Sequence, residues 1–134
     1  MREELLIILD TIPPSLNRFA GRENSWDYRS AKAGWTKLVY AMALRERRRK
    51  KLDGPPPEYA DVEIRYFFRD KRRHDADNYA GKFLLDGLTK AGAIKDDDFE
   101  HIRLTVLGDY DKARPRTEIR VSWTVRDRGR VLSV

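Results

Sequence analysis

The chain has 134 residues, 40% apolar and 37% charged, with 28 Lys and Arg against 22 Asp and Glu, a formal net charge of +6 and no cysteine. That length supplies one hydrophobic core and not two. Disulfide scaffolds, thiolate zinc sites and thiol nucleophiles are excluded, and no run of about 18 apolar residues offers a membrane span. A pI near 9.7 points to an anionic partner, nucleic acid first, with plain solubility as the bland alternative. The opening MREELLIILD is too short in its apolar part and too acidic at its flanks for a secretory signal, so the cytoplasm is the expected compartment.

Glu4 to Leu9 is a short apolar run closed by Pro13 and Pro14, which reads as a strand and a rigid loop. That loop carries Ser15, Asn17 and Arg18. Ser30 is a candidate cap for a helix whose face is Trp35, Leu38, Val39 and Met42, at i, i+3, i+4, i+7. The helix runs into Arg45, Arg47, Arg48, Arg49, Lys50 and Lys51, more cations than its dipole needs and a candidate phosphate-facing patch. Gly54 to Pro57 breaks the chain. Val62, Ile64, Tyr66 and Phe68 then alternate with Glu63, Arg65 and Phe67 as a half-buried strand. A second helix is predicted over Asn78–Ala91, capped by Asp77 or Asn78 and closed by Gly92. Ile102, Leu104 and Val106 mark a third strand, and Gly108 to Pro115 a loop. A fourth strand has Ile119, Val121, Trp123 and Val125 on one face, and the last two strands are expected to pair as a hairpin. The order β-α-β-α-β-β predicts an α/β (α+β) domain over residues 1–125, one mixed sheet of about four strands with two helices on it. The second helix would cross between strands two and three, and residues 126–134 form a basic tail.

The chemistry concentrates in RDKRRHDADNYAGKFLLDGLTKAGAIKDDD, Arg69 to Asp98, where acids crowd inside a basic chain. Hard carboxylate oxygens hold Mg²⁺, with Mn²⁺ as a substitute, next to a phosphate whose charge the metal and a Lys offset. Asp75, Asp77 and Lys82 fit that chemistry. The ordinary reading is a helix cap at Asp77 or Asn78 and a polar turn at Asp96 to Asp98. An EF-hand starting at Asp75 fails, because Ala80 stands where that loop needs Gly. Asp70, Asp86 and Asp98 are assigned to the surface. His74 and His101 are not at ligand spacing, and no Gly-rich phosphate loop is present. A helix of 14 residues is about 20 Å long, so Asp97 must reach Asp75 another way. Either the start of strand three lies beside the end of strand two, or Asp97 comes from a second subunit.

Arg73-His74-Asp75-Ala76-Asp77-Asn78, Lys82, Leu85-Asp86-Gly87-Leu88, Ala91-Gly92-Ala93-Ile94 and Asp96-Asp97 together resemble the RusA family of Holliday junction resolvases of bacteria and phages. Pro13-Pro14-Ser15-Leu16-Asn17-Arg18 is similar to that family's opening loop, and the likeness runs from about Leu5 to Val125. It implies a homodimeric, Mg²⁺-dependent endonuclease with no small-molecule cofactor, nicking four-way DNA junctions in recombination and repair in a bacterial cytoplasm. It carries the catalytic acids to Asp75, Asp77 and Asp97, all three as metal ligands, and the essential Lys to Lys82. Asp77 and Lys82 are five apart where the family pattern has four, with Gly81 absorbing the extra residue. DNA contacts are expected from Asn17, Arg18, Arg47, Arg48, Arg69, Lys71, Arg72, Arg73 and Asn78. A basic DNA-binding protein with structural acids, and a nuclease for other branched DNA, are the alternatives.

Overall fold

The computed structural model describes residues 1–22, 25–79 and 81–125, and the basic tail lies outside them. Its elements are β1 (Arg2–Leu9), α1 (Trp26–Arg49), β2 (Ala60–Phe68), α2 (Leu85–Lys90), β3 (Ile102–Tyr110) and β4 (Arg116–Thr124). Two short 3-10 turns, Leu16–Phe19 and Ala76–Tyr79, precede the helices. The four strands form one mixed sheet with both helices packed on it, as the sequence predicts.

The pairing is not the predicted hairpin. The sheet order is β1-β4-β2-β3, so the consecutive strands β3 and β4 are not neighbours. β4 is antiparallel to both β1 and β2, and β2 and β3 are parallel, with Ala60 opposite Ile102 and Phe68 opposite Tyr110. Burial explains the order. β4 buries Thr117, Ile119 and Val121 and takes an inner place, whereas β3 buries only Ile102 fully and leaves Leu104 exposed at the edge. β3 extends through Tyr110, so part of the expected 108–115 loop is strand, and Val125 falls just past β4.

Ser25, not Ser30, caps α1: its hydroxyl accepts the Tyr28 N–H at 3.2 Å. The helix buries Tyr28, Thr36, Val39 and Ala43, rotating Leu38 out to solvent, with Trp35 and Met42 half-buried. The predicted Asn78–Ala91 helix is split. Gly81 takes φ +92°, and Tyr79 packs on Tyr66 and Phe68 at ring separations of 5.6 and 5.1 Å. Neither Asp77 nor Asn78 caps α2; the residue before it is Leu84, which makes no side-chain cap bond. Gly92 does end α2, at φ +74°, with the Ala93 N–H returning to the Leu88 carbonyl at 3.0 Å. At Gly87 the two helices touch. A Cβ there would lie 2.6 Å from Val39 Cβ and 2.8 Å from the Thr36 carbonyl oxygen, so only glycine lets α2 sit this close.

The core between sheet and helices holds Ile7, Val39, Ile64, Leu84, Leu88, Ile119 and Val121, all fully buried. The opposite face of the sheet carries charges in pairs: Arg2 with Asp61 at 2.7 Å, Arg120 with Glu4 at 2.6 Å and Arg116 with Glu118 at 2.8 Å. Arg116 also lies 3.7 Å over the Phe67 ring. That face is a matched polar surface, and it leaves the two ends of the parallel pair and the helical side for chemistry.

Candidate active site

The first acidic loop leaves β2 after Phe68 and is held by aromatic packing rather than by a helix cap. His74 stacks flat on Phe68, with ring centres 3.8 Å apart and planes within 4°, and meets the edge of Tyr79. Asp70 accepts the Arg72 N–H at 3.1 Å, which holds its carboxyl below the usual range, with His74 3.6 Å away. Asp75 accepts from the Arg73 guanidinium at 2.8 Å, and its carbonyl accepts the Asn78 N–H at 3.0 Å to start the second 3-10 turn. The Asp75 ion pair raises the Arg73 pKa. Asp77 is exposed within that turn. Lys82 follows Gly81, and its ammonium lies 5.8 Å from the Tyr28 ring centre. A Cβ on Gly81 would meet Ile64 Cδ1 at 2.9 Å, so the turn that presents Lys82 depends on that glycine twice, for φ and for space. The extra residue between Asp77 and Lys82 thus belongs to a left-handed turn outside α2. The Leu16–Phe19 turn packs against the Ala76–Tyr79 turn, which brings Asn17 and Arg18 to the same end as Asp75, Asp77 and Lys82.

The second acidic loop joins α2 to β3. Asp96 accepts the Asp97 N–H at 2.8 Å, and Asp98 accepts the Glu100 N–H at 3.1 Å and contacts His101 Nδ1. Although Asp97 is exposed as a residue, the protein around its carboxyl removes enough water to push its pKa up. A hydrogen bond and repulsion from Asp96 add to that shift, and the Asp86 charge adds less. Among the described residues, one group of three acidic or imidazole side chains brings ligand atoms within 4.8 Å of one another: Asp96, Asp98 and His101. Asp75, Asp77 and Asp97 do not form such a group.

The reason is the direction of β3. Because it is parallel to β2, its start lies beside Ala60 and not beside Phe68. The expectation that the start of strand three would bring Asp97 to the end of strand two is therefore overturned. Eight strand steps of about 3.3 Å separate the start of β3 from the end of β2 by roughly 26 Å. Within one protomer Asp75, Asp77, Lys82, Asn17 and Arg18 share one end, and Asp97 occupies the other.

The basic residues divide likewise. Arg69, Lys71, Arg72 and Arg73 are exposed on the first loop, with Lys71 5.1 Å from the Tyr110 ring centre. Arg48 is exposed in the last turn of α1. Arg47 is tied into the fold: it donates to the Ala91 carbonyl at 3.0 Å and to the Gly54 carbonyl at 2.7 Å, closing the end of α2 onto the turn after α1. Asn78 is half-buried. Asp86, assigned to the surface from sequence, forms a part-exposed ion pair with Lys32 at 3.4 Å.

The model of endodeoxyribonuclease RusA matches residues 12–122, the span that contains both acidic loops and every candidate ligand. The chain belongs to the RusA family. A RusA nuclease is a hydrolase acting on DNA, an endodeoxyribonuclease of the Holliday-junction-resolving kind. Among curated proteins, none matches the chain. Nucleases of this kind generally use divalent metals, and the second acidic loop brings carboxylate oxygens of Asp96 and Asp98 together with His101. Two features of this RusA chain escaped the sequence reading. Phe99, immediately after the acid run, is 99% exposed; a lone Phe between Asp98 and Glu100, with no alternating or helical pattern around it, was the available signal. A groove of about 700 Å³ runs between α1 and α2, lined by Arg29, Lys32, Lys37 and Lys90; three of those cations recur along one helix at i, i+3 and i+8. A cavity of about 740 Å³ beneath Leu52, Pro55 and Trp123 includes none of the candidate acids.

Proposed function

We propose that the protein is a Mg²⁺-dependent resolvase that nicks four-way DNA junctions in pairs, in recombination and repair in a bacterial cytoplasm. It works as a homodimer in which each site takes Asp75, Asp77 and Lys82 from one protomer and Asp97 from the other. The observation that carries the composite site is the parallel direction of β2 and β3, which starts the strand after Asp97 beside Ala60 while the Asp75 loop leaves from Phe68, so that the three acids form no common group within the protomer. Phe99 supports it, because a fully exposed Phe beside Asp97 gains by being covered when that loop docks on a second copy.

In this reading the Asp75, Asp77 and Asp97 carboxylates hold the metal, which when bound supplies charge neutralisation at the phosphate and acidifies an attacking water. Lys82 holds a non-bridging phosphate oxygen and stabilises the charge that develops there in the transition state. Arg73 keeps Asp75 oriented through their 2.8 Å contact. Asn17, Arg18, Arg69, Lys71 and Arg72, exposed at the same end, hold the DNA backbone around the scissile phosphate. Two-fold symmetry presents the two sites to symmetry-related strands of the junction.

The test is cleavage of a synthetic four-way junction with and without Mg²⁺, beside duplex, flap and fork controls. The wild type should nick the junction in pairs and depend on the metal. Asp77→Asn should bind the junction and leave it intact. Salt-sensitive binding with no metal-dependent nicking of any substrate would favour a DNA-binding protein with structural acids. Preferential cutting of flaps or forks would move the substrate to other branched DNA.

A further inference from the structure

The groove between α1 and α2 joins the two ends of the protomer. Arg29 sits one residue after Tyr28, the ring beneath Lys82, while Lys90 is the last residue of α2, before the loop that carries Asp97. Between them, Lys32, Gly34, Thr36, Lys37, Tyr40 and Asp86 complete the lining. The residues Arg29 to Tyr40 span 11 helical steps, about 16 Å. The lining carries four cations, Arg29, Lys32, Lys37 and Lys90, against one anion, Asp86, which Lys32 meets at 3.4 Å. Among the described residues no carboxylate lies within 4.0 Å of Arg29, Lys37 or Lys90, in contrast to the paired cations of the open sheet face.

Gly34 is the second observation. It lies in the middle of α1, where glycine weakens a helix relative to any straight-chain residue. A Cβ built on it meets nothing within 4 Å, so packing does not require glycine. Its effect is to leave the wall of the groove open where a bulky backbone could approach.

We infer that this groove is a docking track for the sugar-phosphate backbone of a DNA arm, leading it between the Lys82 end and the Asp97 end of the same protomer. The inference rests on the nuclease reading and adds a contact surface to it. One DNA strand rises about 3.4 Å of axis per phosphate but winds around that axis, so its phosphates lie about twice that far apart along the backbone and a track about 16 Å long meets two or three of them. The contacts are to backbone, so they set affinity and position without reading sequence.

Two variants test it on the full chain. Arg29→Gln/Lys37→Gln/Lys90→Gln removes three cations that make no ion pair with a carboxylate among the described residues. Binding to a labelled four-way junction is measured from 50 to 300 mM salt, with Arg2→Gln/Arg120→Gln on the paired sheet face as control. The slope of log affinity against log salt should fall by about 2 to 3, since each lost phosphate contact removes about 0.9. Affinity at 150 mM salt should fall by tenfold or more, with cleavage at saturating protein within twofold of wild type. Gly34→Glu should raise the melting temperature, because glycine leaves the helix, and weaken junction binding, because a carboxylate enters the track. The inference is overturned if the triple variant keeps the wild-type slope or loses no more than the control, or if Gly34→Glu is stabilised with unchanged affinity. Failure of the nuclease reading is a separate outcome: wild type that cuts no branched DNA while the slope still responds to the groove cations.

Discussion

The two acidic loops are built on opposite principles. The loop after β2 settles its charges internally: Asp70 has a backbone N–H, Asp75 has Arg73, and His74 lies flat on Phe68. The loop before β3 strings Asp96, Asp97 and Asp98 together, raises the Asp97 pKa by burial first and by Asp96 second, and projects Phe99 into water. The first is a finished surface. The second stores repulsion and exposed apolar area that a cation and a partner would relieve. In the composite site proposed above, that difference makes one half preset and leaves the other to be completed on assembly.

The sharpest way to break that comparison is to mix two inactive proteins. If sites are shared, a heterodimer of Asp77→Asn and Asp97→Asn protomers has one site with both lesions and one with none. Random mixing makes half the dimers heterodimers, so junction nicking should return to about a quarter of wild type. If each site is confined to one protomer, the mixture stays as dead as its parts. Next in size, Phe99→Ala should weaken self-association by tenfold or more, since burying a Phe is worth about 1.5–3 kcal/mol. Sedimentation across a dilution series reads this, and an unchanged dimer would remove Phe99 from the interface. His74→Ala tests the preset half. Loss of the stack should cost about 0.5–1.5 kcal/mol of stability beyond the area lost, read by thermal unfolding, and should slow cleavage more than it weakens binding.

The smallest effect concerns pH. Asp97 has a folded pKa above its unfolded value, so the folded state favours its protonated form. Its charged form therefore destabilises the protein above the folded pKa, and that penalty disappears as pH falls below the unfolded one. Asp97→Asn should raise the melting temperature slightly at pH 7 and not at all near pH 3, while abolishing cleavage. Asp96→Asn, which removes a neighbouring acid, should shrink that gain. A neutral or destabilising Asp97→Asn at pH 7 would mean that the loop does not disfavour the Asp97 charge.

Much of this was legible in the chain. The alternation from Val62 to Phe68, the glycine stop at Gly92 and the composition of both acidic loops rest on local rules, and local rules act on neighbours in sequence. What failed was non-local. The hairpin of the last two strands gave way because β4, with Thr117, Ile119 and Val121 to bury, is better placed between β1 and β2. The helix from Asn78 gave way because Tyr79 found Tyr66 and Phe68, and Gly81 found the space beside Ile64. In a run of six cations nothing marks Arg47 as the one that holds Ala91 and Gly54. The position of Asp97 depended on the direction of one strand, which no spacing within the acid run could reveal.

The sheet order also carries a consequence for synthesis. Of the four described strands β1 is made first, yet its one partner among them is β4, made last of the four. Until residue 124 is free, β1 and one side of β2 are bare edges on a nascent chain. Such contacts between the beginning and end of a sequence close slowly. A chain stopped before Arg116 would lose the strand that joins β1 to the rest of the sheet, so a stop there is as damaging as one before β2.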